Sequence, residues 1–176
     1  MFSYCLNQAE QSRVLEVAIK RQDAAIKKGR PSAHGYDESN PIAVHLCGTA
    51  TEYVTHVYTG LPWHALLEVL TRNGKKPPDV GDDIQVRGTT HHNGHLIVHD
   101  SDDSDERFVL GTLHGTTVRL IGWTSGHAAK QPQYWGDRAN KGRPAYWVPQ
   151  SALRPIEALS SWKREGQPIY EPRRHA

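Results

Sequence analysis

The chain has little cysteine: Cys5 and Cys47 are the only two, and they lie far apart in sequence. Two thiols so placed make no disulfide framework, and their scarcity points to a reducing, intracellular setting. Long apolar runs are also missing. No stretch approaches the roughly 18–20 residues that a membrane helix needs, which excludes a helical span. The opening MFSYCLNQAEQSRV has neither a basic start nor an apolar run, so a secretory leader is not expected, and the expected place of work is the cytoplasm. There is no excess of charge of one sign either. A net charge of +2 with 23% charged residues excludes both a disordered polyelectrolyte and a generally basic nucleic-acid coat. Any contact with nucleic acid must therefore come from local patches. What is present is 37% hydrophobic residues with five Trp and seven Tyr, enough to fill one core. A length of 176 residues suits a single domain.

Periodicity divides the chain. Over residues 7–28, Val14, Leu15, Ala18, Ile19, Ala25 and Ile26 recur near helical spacing, with Asn7 as N-cap and Gly29 and Pro31 as the stop. The polar face of this helix is rich in Lys and Arg and reads as a solvated face or one turned to phosphate. After a polar loop at 30–41, a second helix is expected over 42–58, with Val44, Leu46, Ala50, Val54 and Val57 as its apolar set and Gly60 and Pro62 ending it. The run 65–70 is ambiguous between helix and strand. The connection NGKKPPDVGDD follows.

Residues 84–91 alternate apolar and polar, His92-Asn93-Gly94 offers a hairpin turn, and 95–99 returns as a strand. Beyond an acidic loop, SDDSDE, strands are expected at 107–113 and 117–124, a helical turn near 127–130, a short strand at 145–148 and a short helix at 149–154. The expected fold is α+β: two N-terminal helices packed on a mainly antiparallel sheet of four to five strands, the 84–99 hairpin among them. It reads as one domain, with an N-terminal helix and loop (1–41), a core (42–155) and a C-terminal extension (156–176).

One constellation carries chemistry. Gln85 and Arg87 sit two apart in a strand, so their side chains share a face, while Ile84 and Val86 take the opposite one. Asp79 arrives just before them, ahead of Gly81. Phosphodiester hydrolysis needs this kind of group, oxygen ligands for a divalent ion and a cation beside the scissile phosphate. Pro78-Asp79 followed by Gln85-Val86-Arg87 resembles, in degenerate form, the signature of the PD-(D/E)XK nuclease superfamily, and Glu52 matches the Glu that a preceding helix of the superfamily often adds. Small phage- and prophage-encoded proteins show a wider likeness over roughly residues 42–155: Gly48…Glu52, Pro78–Gly81…Val86-Arg87, Gly122-Trp123 and Tyr146–Pro155.

The resemblance implies a restriction-endonuclease-like core and a phage-derived, metal-dependent DNA phosphodiesterase. Glu52 and Asp79 would hold Mg²⁺ or Mn²⁺, Gln85 would act as neutral ligand or water-positioner, and Arg87 would stabilise the phosphorane. Two departures stand out. Gln85 replaces an acid and brings no charge, and Arg87 replaces a Lys and does not give up a proton in practice. The interval from Asp79 to Gln85 is also short for the superfamily. The alternative is an inactive nuclease-fold module that binds DNA or a protein partner, as an inhibitor or a virion or assembly component. Candidate DNA contacts are His91 and His92 beside the motif, and Lys130, Arg138, Lys141 and Arg143 among Tyr134, Trp135, Tyr146 and Trp147. The histidines lack the paired spacing of a zinc site. The acidic loop lacks the glycine and the terminal Glu of a calcium loop, so it reads as a solvated turn.

Overall fold

A computed structural model describes residues 1–27, 41–65, 77–138, 140 and 142–159. The ambiguous run at 65–70 falls almost wholly outside them, as do Lys141 and most of the C-terminal extension.

The chain opens with a strand that periodicity does not announce, β1 (Phe2–Cys5). The first helix, α1 (Gln8–Lys27), begins on a reciprocal capping box: Asn7 Oδ1 accepts from the Glu10 amide at 3.0 Å, and Glu10 Oε2 accepts from the Asn7 amide at 2.8 Å. Val14 and Ala18 are buried from this helix, whereas Leu15, Ile19 and Ile26, expected in its apolar set, are exposed. Among the described elements, α1 packs chiefly against α2 (Pro41–Thr59). That second helix stops at Gly60, whose φ of +69° is the left-handed conformation of a helix end and whose amide donates to the His56 carbonyl at 2.7 Å. No helix among the described residues is long and apolar enough to cross a membrane.

The strands that follow are β2 (Ile84–Thr89), β3 (Leu96–Val98), β4 (Arg107–His114) and β5 (Thr117–Ser125). After them come α3 (Gly126–Ala129), β6 (Trp135–Gly136), β7 (Ala145–Val148) and β8 (Arg154–Pro155). Five strands form one sheet in the order β1-β5-β4-β2, with β8 also pairing with β5. Three form another in the order β3-β7-β6.

The expected 84–99 hairpin does not form. β2 pairs in parallel with β4, Ile84 opposite Arg107 and Thr89 opposite Thr112, while β3 pairs with β7 in the second sheet. The turn at 92–94 is present, but six residues separate the two strands, too many for a two-residue hairpin loop. Burial decides where β3 goes. Leu96 and Val98 are fully buried with Phe108, Leu110, Ala129 and Val148, a core that pairing with β2 would not supply. With β3 diverted, residues 90–106 become the crossover that a parallel pair requires.

The molecule is therefore α+β in three layers. The helices cover one face of the five-stranded sheet, where Val14, Cys47, Ala50 and Val54 meet Ile84, Val86, Val109, Leu120 and Trp123. The smaller sheet covers the other face. β4 is buried on both sides, which is why RFVLGTL reads as a nearly unbroken apolar run.

Candidate functional site

Asp79 is placed by a tight turn. The Val80 and Ile84 backbones exchange hydrogen bonds at 3.1 and 3.2 Å, and Gly81 supplies a φ of +59° in the bend. A side chain at Gly81 would also strike Leu61, whose Cδ1 lies 2.9 Å from the Cβ position. The short interval between Asp79 and Gln85 is absorbed here, and the chain folds back along the outer edge of β2. Asp79 is buried, and its Oδ2 accepts from the Val86 amide at 2.9 Å. An acid thus satisfies a strand-edge donor that no neighbouring strand reaches.

Glu52 lies on α2 and is also buried. Arg21 of α1 forks onto it, Nη1 to Oε1 at 2.6 Å and Nη2 to Oε2 at 2.7 Å. The Trp63 indole donates to the same Oε2 at 3.2 Å, and Thr49 Oγ1 lies 3.3 Å from Arg21 Nη1. Trp63 is held edge-on by Tyr53 and capped by the Arg13 guanidinium. Burial opposes the Arg21 charge, but the hydrogen bonds and charge of Glu52, together with the charge of Asp79, outweigh it and raise the Arg21 pKa above its ordinary value.

Gln85 and Arg87 share one face, as their spacing requires, and it is the face turned to the second sheet. Arg87 donates from Nε to the Ile97 carbonyl at 3.2 Å and from Nη2 to Asp102 Oδ2 at 2.9 Å, and it lies over the Phe108 ring. Gln85 hydrogen-bonds the Glu106 side chain. Burial pushes the Glu106 carboxyl up, helped by Asp103 and Asp102, against the contrary pull of Gln85 and Arg87. The four motif residues are thus divided by the sheet. Glu52 meets Arg21 on the helix side, Gln85 and Arg87 lie on the other, and Asp79 at the edge reaches Arg87 Nη1 at 3.9 Å.

A divalent ion needs carboxylate oxygens open to it. Both Glu52 oxygens face a guanidinium fork, and one Asp79 oxygen is bound to the backbone. This donor set fits Arg21 and does not fit Mg²⁺ or Mn²⁺. Among the described residues, no group of three or more His, Cys, Asp or Glu is arranged to hold a metal. Arg21 and Trp63 are the residues that motif reasoning misses. A signal for Arg21 existed: it follows Val14 and Ala18 at helical spacing, on the buried line of α1.

The candidate DNA contacts fall into two groups. Lys130 is committed inward, its Nζ donating to the carbonyls of Asp100 and Asp102 at 2.8 and 2.5 Å. The acidic loop is thereby folded around Lys130 and Arg87. Elsewhere the structure joins two distant segments. Arg138 Nη1 donates to His95 Nε2 at 2.9 Å, linking the turn that bears exposed His91 and His92 to the β6–β7 hairpin that bears exposed Arg143. Burial, then the Arg138 charge, lowers the His95 pKa, in keeping with a neutral ring that accepts this bond. Gln150 fastens the turn from below, donating to the carbonyls of His92 and Gly94 at 2.9 and 3.1 Å. Trp135, 44% exposed, stands at the hairpin base beside Tyr146 with ring centroids 4.7 Å apart. No protein-family model, curated protein or solved structure matches the chain.

Proposed function

We propose that this chain is a non-catalytic nucleic-acid-binding module of nuclease-like layout, which grips a strand with the rim of its second sheet. The observation that carries the reading is the contact of Arg138 with His95, which brings the turn bearing His91 and His92 to the hairpin bearing the cations Arg138 and Arg143 and the exposed Trp135. Cations track a phosphate backbone, and an exposed aromatic ring gives a base a surface to stack on. The metal-dependent phosphodiesterase reading is less well supported, because Glu52 is committed to Arg21 and lies across the sheet from Gln85 and Arg87.

The test pairs a binding assay with a cleavage assay on the same protein. Fluorescence anisotropy with single-stranded and duplex DNA should show affinity that falls with salt. Arg138→Ala and Arg143→Ala should each reduce the logarithmic salt slope by about one. Trp135→Ala should weaken single-strand binding by about 1–3 kcal/mol with the slope unchanged. Absence of binding to either form at low salt would sink the proposal. Cleavage with Mg²⁺ or Mn²⁺ that Asp79→Ala abolishes would reinstate the phosphodiesterase.

A further inference from the structure

We infer that the outer shoulder of α1 is an interface with a second copy of this chain, in which two α1 helices lie antiparallel across a two-fold axis. Leu15, Ile19 and Ile26 are 42%, 41% and 66% exposed. At about 3.6 residues per turn, positions 15, 19, 22 and 26 fall on one narrow stripe, with Gln22 as its polar member. Val14 and Ala18 turn to the interior from the adjoining side, so the stripe is what is left over once α1 has docked. Ile42, another exposed apolar residue, opens α2. It stands at the Ile26 end of the helix pair, because the two helices run antiparallel, Glu10 meeting Tyr53 and Arg21 meeting Thr49. Single apolar residues on a surface are ordinary, but a contiguous row marks a contact surface.

Charge on the outer flank of the stripe says what covers it. Glu16, Lys20, Asp23 and Lys27 each follow a stripe position by one residue, and all four are exposed. Along the helix they alternate minus, plus, minus, plus, an order that is its own complement when reversed. In an antiparallel two-fold pair each flank meets its own copy. Glu16 then comes opposite Lys27 of the second copy, and Lys20 opposite its Asp23, each contact being made twice. A parallel pair would set this flank against the opposite one, where Ala18 and Ala25 lie, and would gain no charge pairs. Within one helix, Glu16 and Lys20 already pair at 2.6 Å, but both are solvent-exposed, so sharing that pair across the axis costs little. A nucleic-acid backbone or an anionic lipid surface would meet Glu16 and Asp23 among the lysines, which favours neither. The stripe is one helix wide and about 17 Å long, which falls short of the roughly 800 Å² per partner of a standard interface, so association is weak and concentration-dependent. The helices and the second sheet cover opposite faces of the larger sheet, and the inference does not depend on the nucleic-acid reading.

The experiment is sedimentation equilibrium of the full chain, free of nucleic acid and at low salt, over about 5 to 500 μM, the range a small interface calls for. Wild type should pass from monomer to dimer within it. Ile19→Asp should weaken the dimer at least roughly tenfold by placing a charge in the stripe, and the milder Ile26→Gln should weaken it less. The double variants E16K/D23K and K20E/K27E each make the flank a single sign, so each alone should stay monomeric. Mixed in equal amounts, they should restore a dimer at least as tight as that of wild type. All the changed side chains are exposed, and circular dichroism checks that the helices persist in every variant. A wild type that stays monomeric throughout would overturn the inference, whether or not α1 then binds anionic vesicles or DNA. So would a dimer that I19D and I26Q leave intact, which places the contact elsewhere, or a mixture of the two charge-reversed variants that associates no more than either alone.

Discussion

Arg107 forks onto Asp83, Nε donating to Oδ2 at 2.8 Å and Nη2 to Oδ1 at 2.6 Å, while Nη1 reaches the Leu159 carbonyl at 3.2 Å. Both residues are buried, and the Arg107 amide also donates to the Asp83 carbonyl at 2.8 Å. The pair stands at the shared start of β2 and β4, where Ile84 lies opposite Arg107. A parallel pair cannot take its register from a short turn, and here a buried ion pair marks it instead.

The first prediction concerns that pair. Arg107→Met leaves Asp83 buried without its partner and should cost about 3–5 kcal/mol of stability. Replacing both, as D83L/R107M, removes the uncompensated charge and should cost clearly less than the two single changes added together. Urea unfolding of the four proteins gives the coupling directly. Additive losses would mean that the pair does not act as a unit.

Local signals carried much of this fold and little of the site. The bounds of α1 and α2 were readable because their ends are chemical: a capping box at Asn7 and Glu10, and a left-handed Gly60. The strands at 107–113, 117–124 and 145–148 were readable from composition. β1 was not, since four residues gain meaning only from the edge that β5 offers them. The partner of β2 was not readable either, because parallel pairing and the burial of Leu96 and Val98 are non-local choices. In the site, period two put Gln85 and Arg87 on one face correctly. It could not say that a layer of sheet would stand between them and Glu52. Nor does a helical basic residue declare whether it faces water or a buried acid, and Arg21 faces the acid.

The second prediction follows from Tyr4. Its hydroxyl donates to Glu10 Oε1 at 2.7 Å, and the Tyr53 hydroxyl donates to the same oxygen at 3.1 Å. The hydrogen bond to Glu10, then burial, then the charges of Glu10 and Tyr53 push the Tyr4 pKa from 10.0 to about 12. A folded pKa above the unfolded one means stabilisation that is complete below pH 10 and is lost as pH rises toward 12. Tyr4→Phe should therefore lower stability at neutral pH by about 1 kcal/mol, the net worth of one hydrogen bond. The gap to wild type should close between pH 10 and 12. Denaturant unfolding at several alkaline pH values checks this, and a gap that stays constant through that range would refute it.

The third prediction concerns the socket that seats α2 and so positions Glu52. Gly88 of β2 and Gly111 of β4 are register partners, and a Cβ on either would run into α2. At Gly88 it would meet the Cys47 carbonyl oxygen at 2.6 Å, which is helix backbone; at Gly111 it would meet Thr51 Cγ2 at 2.5 Å, which is a side chain. Overpacking of this kind costs about 1–3 kcal/mol. Gly88→Ala should be the worse of the two, because relief requires moving the whole helix rather than one methyl group. Thr51→Ser deletes that methyl and keeps the hydroxyl, which donates to the Cys47 carbonyl at 2.8 Å. It should therefore recover much of the loss caused by Gly111→Ala and little of that caused by Gly88→Ala. Melting temperatures of the two alanine variants, each with and without T51S, make the comparison. Equal rescue in both backgrounds would show that α2 is free to shift on the sheet, and the close seat at Gly88 would then not be what fixes the height of Glu52 above the strands.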